Sequence, residues 1–276
     1  MKQNLNIFFY KLLLRVKKKF YFNSIKIWSH KNLNSSKFII SFDFETQRDI
    51  EIIEKLTNKL KKINILPYYA IPGELIEKNS EILKSLGPKI TYINHGYKVH
   101  TKFCRKKKKN FSSFSYLKKS TKIINEDIKK GDLVIKKVLK QQSRIFRTPH
   151  FGEFCEKEKM NLIYKILSNL NYKYSLSTTP IFSLINKPIY VVNKITEIPC
   201  NAYIDNPKQV IDSWSLHIKA ITTKNLIDEL NRYYNIMLKN NMLLNIYFDP
   251  SDIIHIEDFF FIVSKFSKYQ IKHLGS

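Results

Sequence analysis

The alternation of strand-like and helix-like segments from residue 38 onward constrains the fold of this chain more than any other feature. β-branched and aromatic residues mark the strands, and apolar residues at helical spacing mark the helices. The order strand, helix, strand, helix, strand covers residues 38–45, 53–63, 67–71, 74–86 and 90–94. Because Pro72-Gly73 and Gly87-Pro88 end the second strand and second helix, these units are short and separate. Repeated β-α units predict a largely parallel sheet covered by helices.

The same alternation continues towards the C-terminus. Helices are predicted over residues 125–142, 157–170, 226–237 and 259–266, and strands over 143–146, around Tyr174, over 195–198 and over 243–248. We find no internal repeat and no linker, so residues 37–276 are predicted to form one α/β domain behind an N-terminal extension, residues 1–36. Periodicity alone leaves open whether the sheet closes into a barrel.

The chain carries a formal net charge of +25. Such a field attracts nucleic acid, anionic lipid or an acidic glycan. The excess of lysine together with abundant asparagine and isoleucine equally fits a bias in codon usage. Residues 97–122 hold a basic run, Arg105 to Lys109, and are predicted to form a long surface loop. This run lacks a recognised nucleic-acid-reading module, so no specific nucleic-acid partner is expected.

The N-terminal extension combines short apolar clusters with lysines and arginine. Lys11 interrupts the apolar residues 7–14, so neither a secretory signal nor a transmembrane span is predicted. The extension either docks against the domain or lies as a basic amphipathic helix on an anionic membrane surface. Cys104, Cys155 and Cys200 form no C-x-x-C pair and predict no disulfide framework. We therefore expect a cytoplasmic protein, with peripheral membrane attachment as the alternative.

Two carboxylates end the first predicted strand. In Ser41-Phe42-Asp43-Phe44-Glu45 the strand period of two places Asp43 and Glu45 on one face and both phenylalanines on the other. The carboxyl ends of barrel strands are where such enzymes place their chemistry. Two like charges this close need a cation or an arginine between them.

Histidines and an arginine follow two further strands. His95 and His100 come after the third strand, and imidazoles with a carboxylate suit a borderline ion such as zinc. Arg147-Thr148-Pro149-His150-Phe151-Gly152 follows the strand that ends at Phe146, where an arginine could hold a carboxylate bidentately.

The order and spacing of these three segments resemble the polysaccharide deacetylases, which are carbohydrate esterase family 4 or the NodB homology domain. The resemblance covers about residues 38–266 and implies a distorted (β/α) barrel. It implies Asp43 as catalytic base, Glu45 and His95 as metal ligands, and Arg147 as the group that steadies Asp43. Residues 196–199, Thr-Glu-Ile-Pro, also resemble the family's E-I-P strand.

Two departures from the family pattern concern the chemistry directly. The family's second metal histidine comes four residues after the first, where this chain has Val99, and His100 lies one residue further on. The family's late motif offers a histidine as general acid, and Asp249 stands nearest that place. A carboxyl group can act as an acid if burial raises its pKa. Residues 174–177 also lack the acidic residue often found in the fourth motif.

The resemblance implies hydrolysis of an acetamido group on an N-acetylated sugar or polysaccharide intermediate. A divalent metal, zinc or alternatively cobalt or nickel, would be held by Glu45, His95 and His100. Asp43 would take a proton from water, with Arg147 orienting Asp43, and Asp249 or His150 would protonate the departing amine. Two alternatives stay open: an amide hydrolase for a small non-sugar substrate, and an inactive barrel that serves as a carbohydrate-binding or regulatory protein.

Overall fold

A computed structural model describes residues 19–104, 109–150, 157–272 and 274. Its helices are α1 (Lys19–Asn32), α2 (Gln47–Glu51), α3 (Ile53–Lys62), α4 (Gly73–Lys78), α5 (Ser80–Ser85), α6 (Thr121–Leu139), α7 (Lys157–Asn169), α8 (Ile181–Asn186), α9 (Trp214–His217), α10 (Thr223–Lys239), α11 (Pro250–Ile253) and α12 (Glu257–Ser264). Its strands are β1 (Lys37–Asp43), β2 (Tyr68–Ile71), β3 (Thr91–Asn94), β4 (Thr101–Cys104), β5 (Lys109–Ser112), β6 (Ile145–Phe146), β7 (Tyr174–Ser175), β8 (Tyr190–Val192), β9 (Ile195–Glu197) and β10 (Leu243–Phe248).

Several sequence predictions fall on residues outside this description. These are residues 1–18 of the N-terminal extension, residues 105–108 of the basic segment, and Phe151, Gly152 and Cys155. Cys200 is a buried free thiol.

Seven parallel strands form the main sheet in the order β10-β1-β2-β3-β6-β7-β9, and β8 adds antiparallel to β9. The chain after β9 returns to β10 and closes the gap between the two ends of the sheet. There the N–H of Asn201 donates to the carbonyl of Asn245 at 2.8 Å, and the amide nitrogen of the Asn245 side chain donates to the carbonyl of Ile198 at 2.8 Å. These bonds confirm the predicted distorted (β/α) barrel.

Apolar side chains fill both faces of the curled sheet. Inside the barrel lies a buried cluster to which most strands contribute, with members Ile39, Tyr68, Ala70, Ile93, Ile145, Leu176, Ile198 and Leu243. Outside, Phe42 and Phe44 pack in the layer that includes Leu56 and Leu60 of α3. The strand alternation predicted from the sequence is therefore confirmed, because Phe42 and Phe44 face the helices and leave the other face to Asp43.

The N-terminal segment that the structure describes docks on the barrel. Tyr21 and Ile25 of α1 are buried in the outer core layer, and the hydroxyl of Ser29 accepts a hydrogen bond from the N–H of Leu243. None of the helices in the described part of the chain combines the length and apolarity needed to cross a membrane. Contact of the N-terminus with anionic membranes, and a cytoplasmic location, stay predictions.

Three local expectations differ from the structure. The predicted surface loop over residues 97–122 contains an antiparallel hairpin of β4 and β5, because β-favouring residues such as Thr101 and Phe111 alternate with its lysines. The predicted helix over residues 74–86 breaks into α4 and α5 at Asn79, whose side chain bonds to the carbonyl of Leu75 and to Gln47. The predicted strand over residues 195–198 is β9, but the sequence did not predict β8, which pairs antiparallel with it. The turn residues between them, Asn193 and Lys194, have φ values of 49° and 67°.

Candidate active site and metal centre

The predicted site residues come together at the carboxyl end of the barrel. Asp43 ends β1, while His95, Arg147 and Asp249 directly follow β3, β6 and β10. In a parallel barrel these ends meet at one rim, so residues more than a hundred positions apart in the sequence become neighbours.

Asp43 and Arg147 form a buried ion pair. The Nη1 atom of Arg147 lies 3.1 Å from Oδ1 and 3.2 Å from Oδ2 of Asp43, and its Nη2 atom donates to the hydroxyl of Ser41 at 2.8 Å. Arg147 is fully buried and Asp43 nearly so. The ring of Tyr247 lies 4.7 Å from the guanidinium carbon. Charge-assisted bonds in a buried setting hold the carboxylate of Asp43 in one orientation.

Glu45, His95 and His100 offer three ligand atoms within 4.8 Å of one another. The Nε2 atom of His100 lies 3.0 Å from Oε2 of Glu45, and Nε2 of His95 lies 3.7 Å from Oε1. Burial raises the pKa of Glu45, but His100 and His95 outweigh burial and hold that pKa well below its ordinary value. The carboxylate is therefore charged and available as a ligand.

The two imidazoles are set up to ligate through Nε2. The Nδ1 atom of His95 lies 2.9 Å from the carbonyl of Arg147, and Nδ1 of His100 lies 3.4 Å from the carbonyl of Lys98. A carbonyl neighbour on Nδ1 orients each ring so that Nε2 faces Glu45, as the outer partners of metal-binding histidines do. Among the described residues neither buried Nε2 atom has a partner with hydrogen-bond geometry. This donor set of two imidazoles and one carboxylate fits zinc and related borderline ions.

The loop conformation explains how His100 reaches the site although Val99 occupies the expected position. Val99 packs against the outer core, and its N–H donates to Oε2 of Glu74 at 2.7 Å. The carboxylate of Asp127 on α6 accepts the N–H groups of Tyr97 and Lys98. These anchors turn Val99 away from the site and His100 towards it.

Gly131 on α6 permits this loop to approach the helix. A Cβ atom at Gly131 would lie 2.4 Å from Oδ1 of Asn94 and 2.7 Å from the carbonyl oxygen of Gly96, the two neighbours of His95. We expect Gly131→Ala to lower the free energy of unfolding by about 1–3 kcal/mol, which is the usual cost of overpacking. The displaced His95 should also weaken zinc binding at least tenfold. Urea unfolding and zinc titration measure both effects.

A matched control for this prediction is Lys137→Ala, a substitution at an exposed position of the same helix. It should leave stability within about 0.5 kcal/mol of wild type. Normal zinc binding by Gly131→Ala would contradict the role given to this close approach.

Asp249 lies at the rim among other carboxylates. Burial raises the pKa of Asp249 well above its ordinary value, and the nearby charges of Glu45 and Asp252 raise it further. Its backbone N–H donates to the hydroxyl of Ser213 at 2.7 Å. A carboxyl group that keeps its proton near neutral pH can serve as a proton donor.

His150 lies against the metal-binding loop. Its Nε2 atom is 3.0 Å from the carbonyl of His100, and the two rings meet edge to face at a centroid distance of 5.1 Å. This contact occupies one ring nitrogen of His150 and supports the backbone that carries His100.

Four residues that position the site were not identified from the sequence. Ser41 bonds to Arg147, the hydroxyl of Thr101 donates to Glu45, and Asp127 anchors the loop between the histidines. The carboxylate of Asp49 accepts the N–H groups of Glu45 and Thr46 and that of Ser251 on α11, which ties β1 to the segment after β10. The spacing Thr-x-x-Asp over residues 46–49 is a helix-capping signal that could have identified Asp49. The other three contacts depend on tertiary structure.

Comparison with known proteins gives matches in structure alone, since no protein-family model and no curated protein sequence matches the chain. A protein from Mycobacterium smegmatis assigned as a polysaccharide deacetylase aligns with a TM-score of 0.60 at 11% identity, over 86% of this chain and 87% of that one. The family 4 carbohydrate esterase from Streptomyces lividans, solved with acetate, aligns with a TM-score of 0.52 at 12% identity, over 86% and 91%.

A pseudoenzyme of carbohydrate esterase family 4 from Bacillus anthracis aligns with a TM-score of 0.51 at 14% identity, over 86% of this chain and 64% of that one. At identities this low, structural similarity shows the fold alone, and all three structures share that fold with this chain. We conclude that this chain has the fold of the polysaccharide deacetylases of carbohydrate esterase family 4.

Proposed function

We propose that this chain is a metal-dependent hydrolase that removes the acetyl group from an N-acetylated sugar. The observation that carries the proposal is the convergence of two sets of side chains at one rim. Asp43 with Arg147 supplies a fixed carboxylate, and Glu45, His95 and His100 supply a trio of metal-ligating atoms. Each set alone has structural explanations, whereas their adjacency matches what amide hydrolysis requires.

The geometry supports the following roles in amide hydrolysis. Asp43 takes a proton from the attacking water, and Arg147 keeps that carboxylate oriented towards the water. The water oxygen adds to the amide carbonyl carbon, and the carbon–nitrogen bond then breaks. Asp249 donates its proton to the departing nitrogen, so that acetate and an amine are released. His150 is assigned to support of the loop, because the carbonyl of His100 already contacts its Nε2 atom.

Glu45, His95 and His100 would hold the ion, for which we propose zinc. When bound, zinc would polarise the acetamido carbonyl and lower the pKa of water. Carbonyl contacts on both Nδ1 atoms orient the imidazoles for this task, with Nε2 turned towards Glu45. Cobalt and nickel suit the same donor set.

An N-acetylated glycan is the proposed substrate class because the solved structures of this fold include a carbohydrate esterase and a protein assigned as a polysaccharide deacetylase. One of them is a pseudoenzyme, and the resemblance places Asp249 nearest the position at which the family offers a histidine. A barrel that binds glycans without hydrolysing them is therefore the second candidate.

Metal content tests the proposal. We expect about one zinc per chain by elemental analysis, and loss of that zinc in Glu45→Ala, His95→Ala and His100→Ala. His255→Ala changes an exposed histidine and should keep the full equivalent. The loaded protein should release acetate from tri-N-acetylchitotriose, and chelation should abolish the release.

The possible outcomes separate the candidates. Zinc binding that survives in all three variants would contradict the assigned ligands. Zinc lost as expected, but with no acetate released from any N-acetylated glycan, would favour the binding protein. Acetate or ammonia released from small amides but not from sugars would favour the non-sugar amide hydrolase.

A further inference from the structure

Trp214 presents an exposed indole on the segment that contacts the end of β10 at the candidate active site. Half of its surface, 50%, is exposed, although tryptophan is normally largely buried. It opens α9 directly after Ser213, the residue whose hydroxyl accepts the N–H of Asp249 at 2.7 Å. Trp214 is therefore the next residue in the sequence after one that contacts the proposed proton donor.

The segment that carries Trp214 is fixed to the rim of the barrel. Oδ1 of Asp212 accepts the N–H and the hydroxyl of Ser215 at 3.0 and 2.9 Å. Oδ2 of Asp212 lies 3.2 Å from the hydroxyl of Tyr247, whose ring covers the guanidinium of Arg147. Contacts thus run continuously from α9 to the pair of Arg147 and Asp43.

The indole ring is supported from one side. It stacks on His217 with a centroid distance of 5.5 Å and an interplanar angle of 23°, and Nδ1 of His217 lies 3.9 Å from Oδ1 of Asp252. Ile218, whose N–H bonds to the carbonyl of Trp214, is 53% exposed and extends the apolar surface. The result is a small, flat, pre-positioned apolar surface with the carboxylate of Asp252 beyond His217.

We propose that Trp214 and Ile218 form a sugar-binding subsite that stacks on the pyranose ring next to the acetylated residue. This inference rests on the proposed function and specifies its substrate as an oligosaccharide. A pyranose ring has a flat face of C–H groups that suits an indole, and its hydroxyls suit nearby carboxylates such as that of Asp252. Two side chains are too few for a stable protein interface, which buries roughly 800 Å² on each partner.

Kinetics on two substrates of different size test the subsite. In Trp214→Ala, kcat/KM for tri-N-acetylchitotriose should fall about tenfold relative to kcat/KM for 4-nitrophenyl acetate, which has no second ring. Trp214→Phe should recover part of the loss, because it retains an aromatic face. Phe261→Ala removes another exposed aromatic ring, on α12, and should leave both values unchanged. An unchanged ratio in Trp214→Ala would overturn the proposal.

A binding measurement separates the subsite from catalysis. The chain has two tryptophans, so Trp28→Phe leaves Trp214 as the fluorescent reporter. In this Trp28→Phe protein, kept free of zinc by a chelator so that the sugar is not hydrolysed, tri-N-acetylchitotriose should change the emission saturably. Saturable binding of the trisaccharide together with no acetate release by wild type would support the subsite and contradict the proposed function. Emission that does not respond at millimolar trisaccharide would remove the subsite even if wild type releases acetate.

Discussion

Replacement of Asp43 by asparagine is expected to lower the rate of acetate release by about 10²- to 10⁴-fold, the usual contribution of a general base. Asparagine keeps the shape of the side chain but cannot take a proton from water. Zinc content should stay at the wild-type level, because Asp43 is outside the group of Glu45, His95 and His100. Acetate release by the purified, zinc-loaded variant measures the effect.

The same substitution should also lower stability. Arg147 is fully buried and directs Nη1 to both oxygens of Asp43, so the neutral variant removes the carboxylate charge that faces this buried guanidinium. Removal of one partner of a buried ion pair costs about 3–5 kcal/mol. Urea unfolding of wild type and variant at the same zinc concentration measures this loss.

Asp205→Asn is the matched control for both effects. Asp205 lies 2.8 Å from Nη2 of Arg232, but both side chains are about half exposed. An exposed pair contributes at most about 1 kcal/mol, so this variant should retain stability and activity. Acetate release by Asp43→Asn at the wild-type rate would contradict its role as the base, whatever the change in stability.

The sequence predicts the strand-borne part of this site well. Alternation in β1, which ends at Asp43, continues over the next two residues and places Asp43 and Glu45 on the face opposite Phe42, because side-chain direction in extended backbone follows from position alone. The repeated β-α units also place His95, Arg147 and Asp249 after strand ends. A local pattern and one topological rule therefore account for where most of the site lies.

The orientation of the site residues in loops depends on tertiary contacts, which no local sequence pattern contains. Whether Val99 or His100 faces Glu45 is decided by hydrogen bonds from the loop to Glu74 and Asp127. These partners lie about 25 to 30 residues away in the sequence and become neighbours through packing of α4 and α6. Spacing alone therefore left the ligand role of His100 open.

The subsite around Trp214 escaped sequence analysis for a different reason. α9 is a single turn of four residues, which is too short to show helical periodicity. Its position comes from the bonds of Asp212 and Ser213 to the end of β10. An isolated tryptophan in such a segment is indistinguishable from a core residue until its exposure is known.

Replacement of Asp249 by asparagine should lower kcat by about 10²- to 10⁴-fold and change the pH profile. The proton donor must be protonated, so the wild-type rate should fall as pH rises through the pKa of Asp249, which burial and neighbouring carboxylates raise. Asparagine has no proton to lose, so the residual activity of this variant should not show the fall in rate at alkaline pH, which we call the alkaline limb of the profile. A bound cation beside Glu45 lowers the pKa of Asp249 by neutralising one of those carboxylates, so the comparison is made between zinc-loaded proteins.

Asp249→His provides the decisive contrast, because it keeps a titratable donor at the same place. It should retain more activity than Asp249→Asn, with an alkaline limb set by an imidazole whose ordinary pKa is about 6.5. If the alkaline limb lies at a different pH in the histidine variant and is absent from the asparagine variant, residue 249 is the group whose titration produces it. An alkaline limb that is identical in all three proteins would instead belong to another group, and Asp249 would then act through position rather than through its proton.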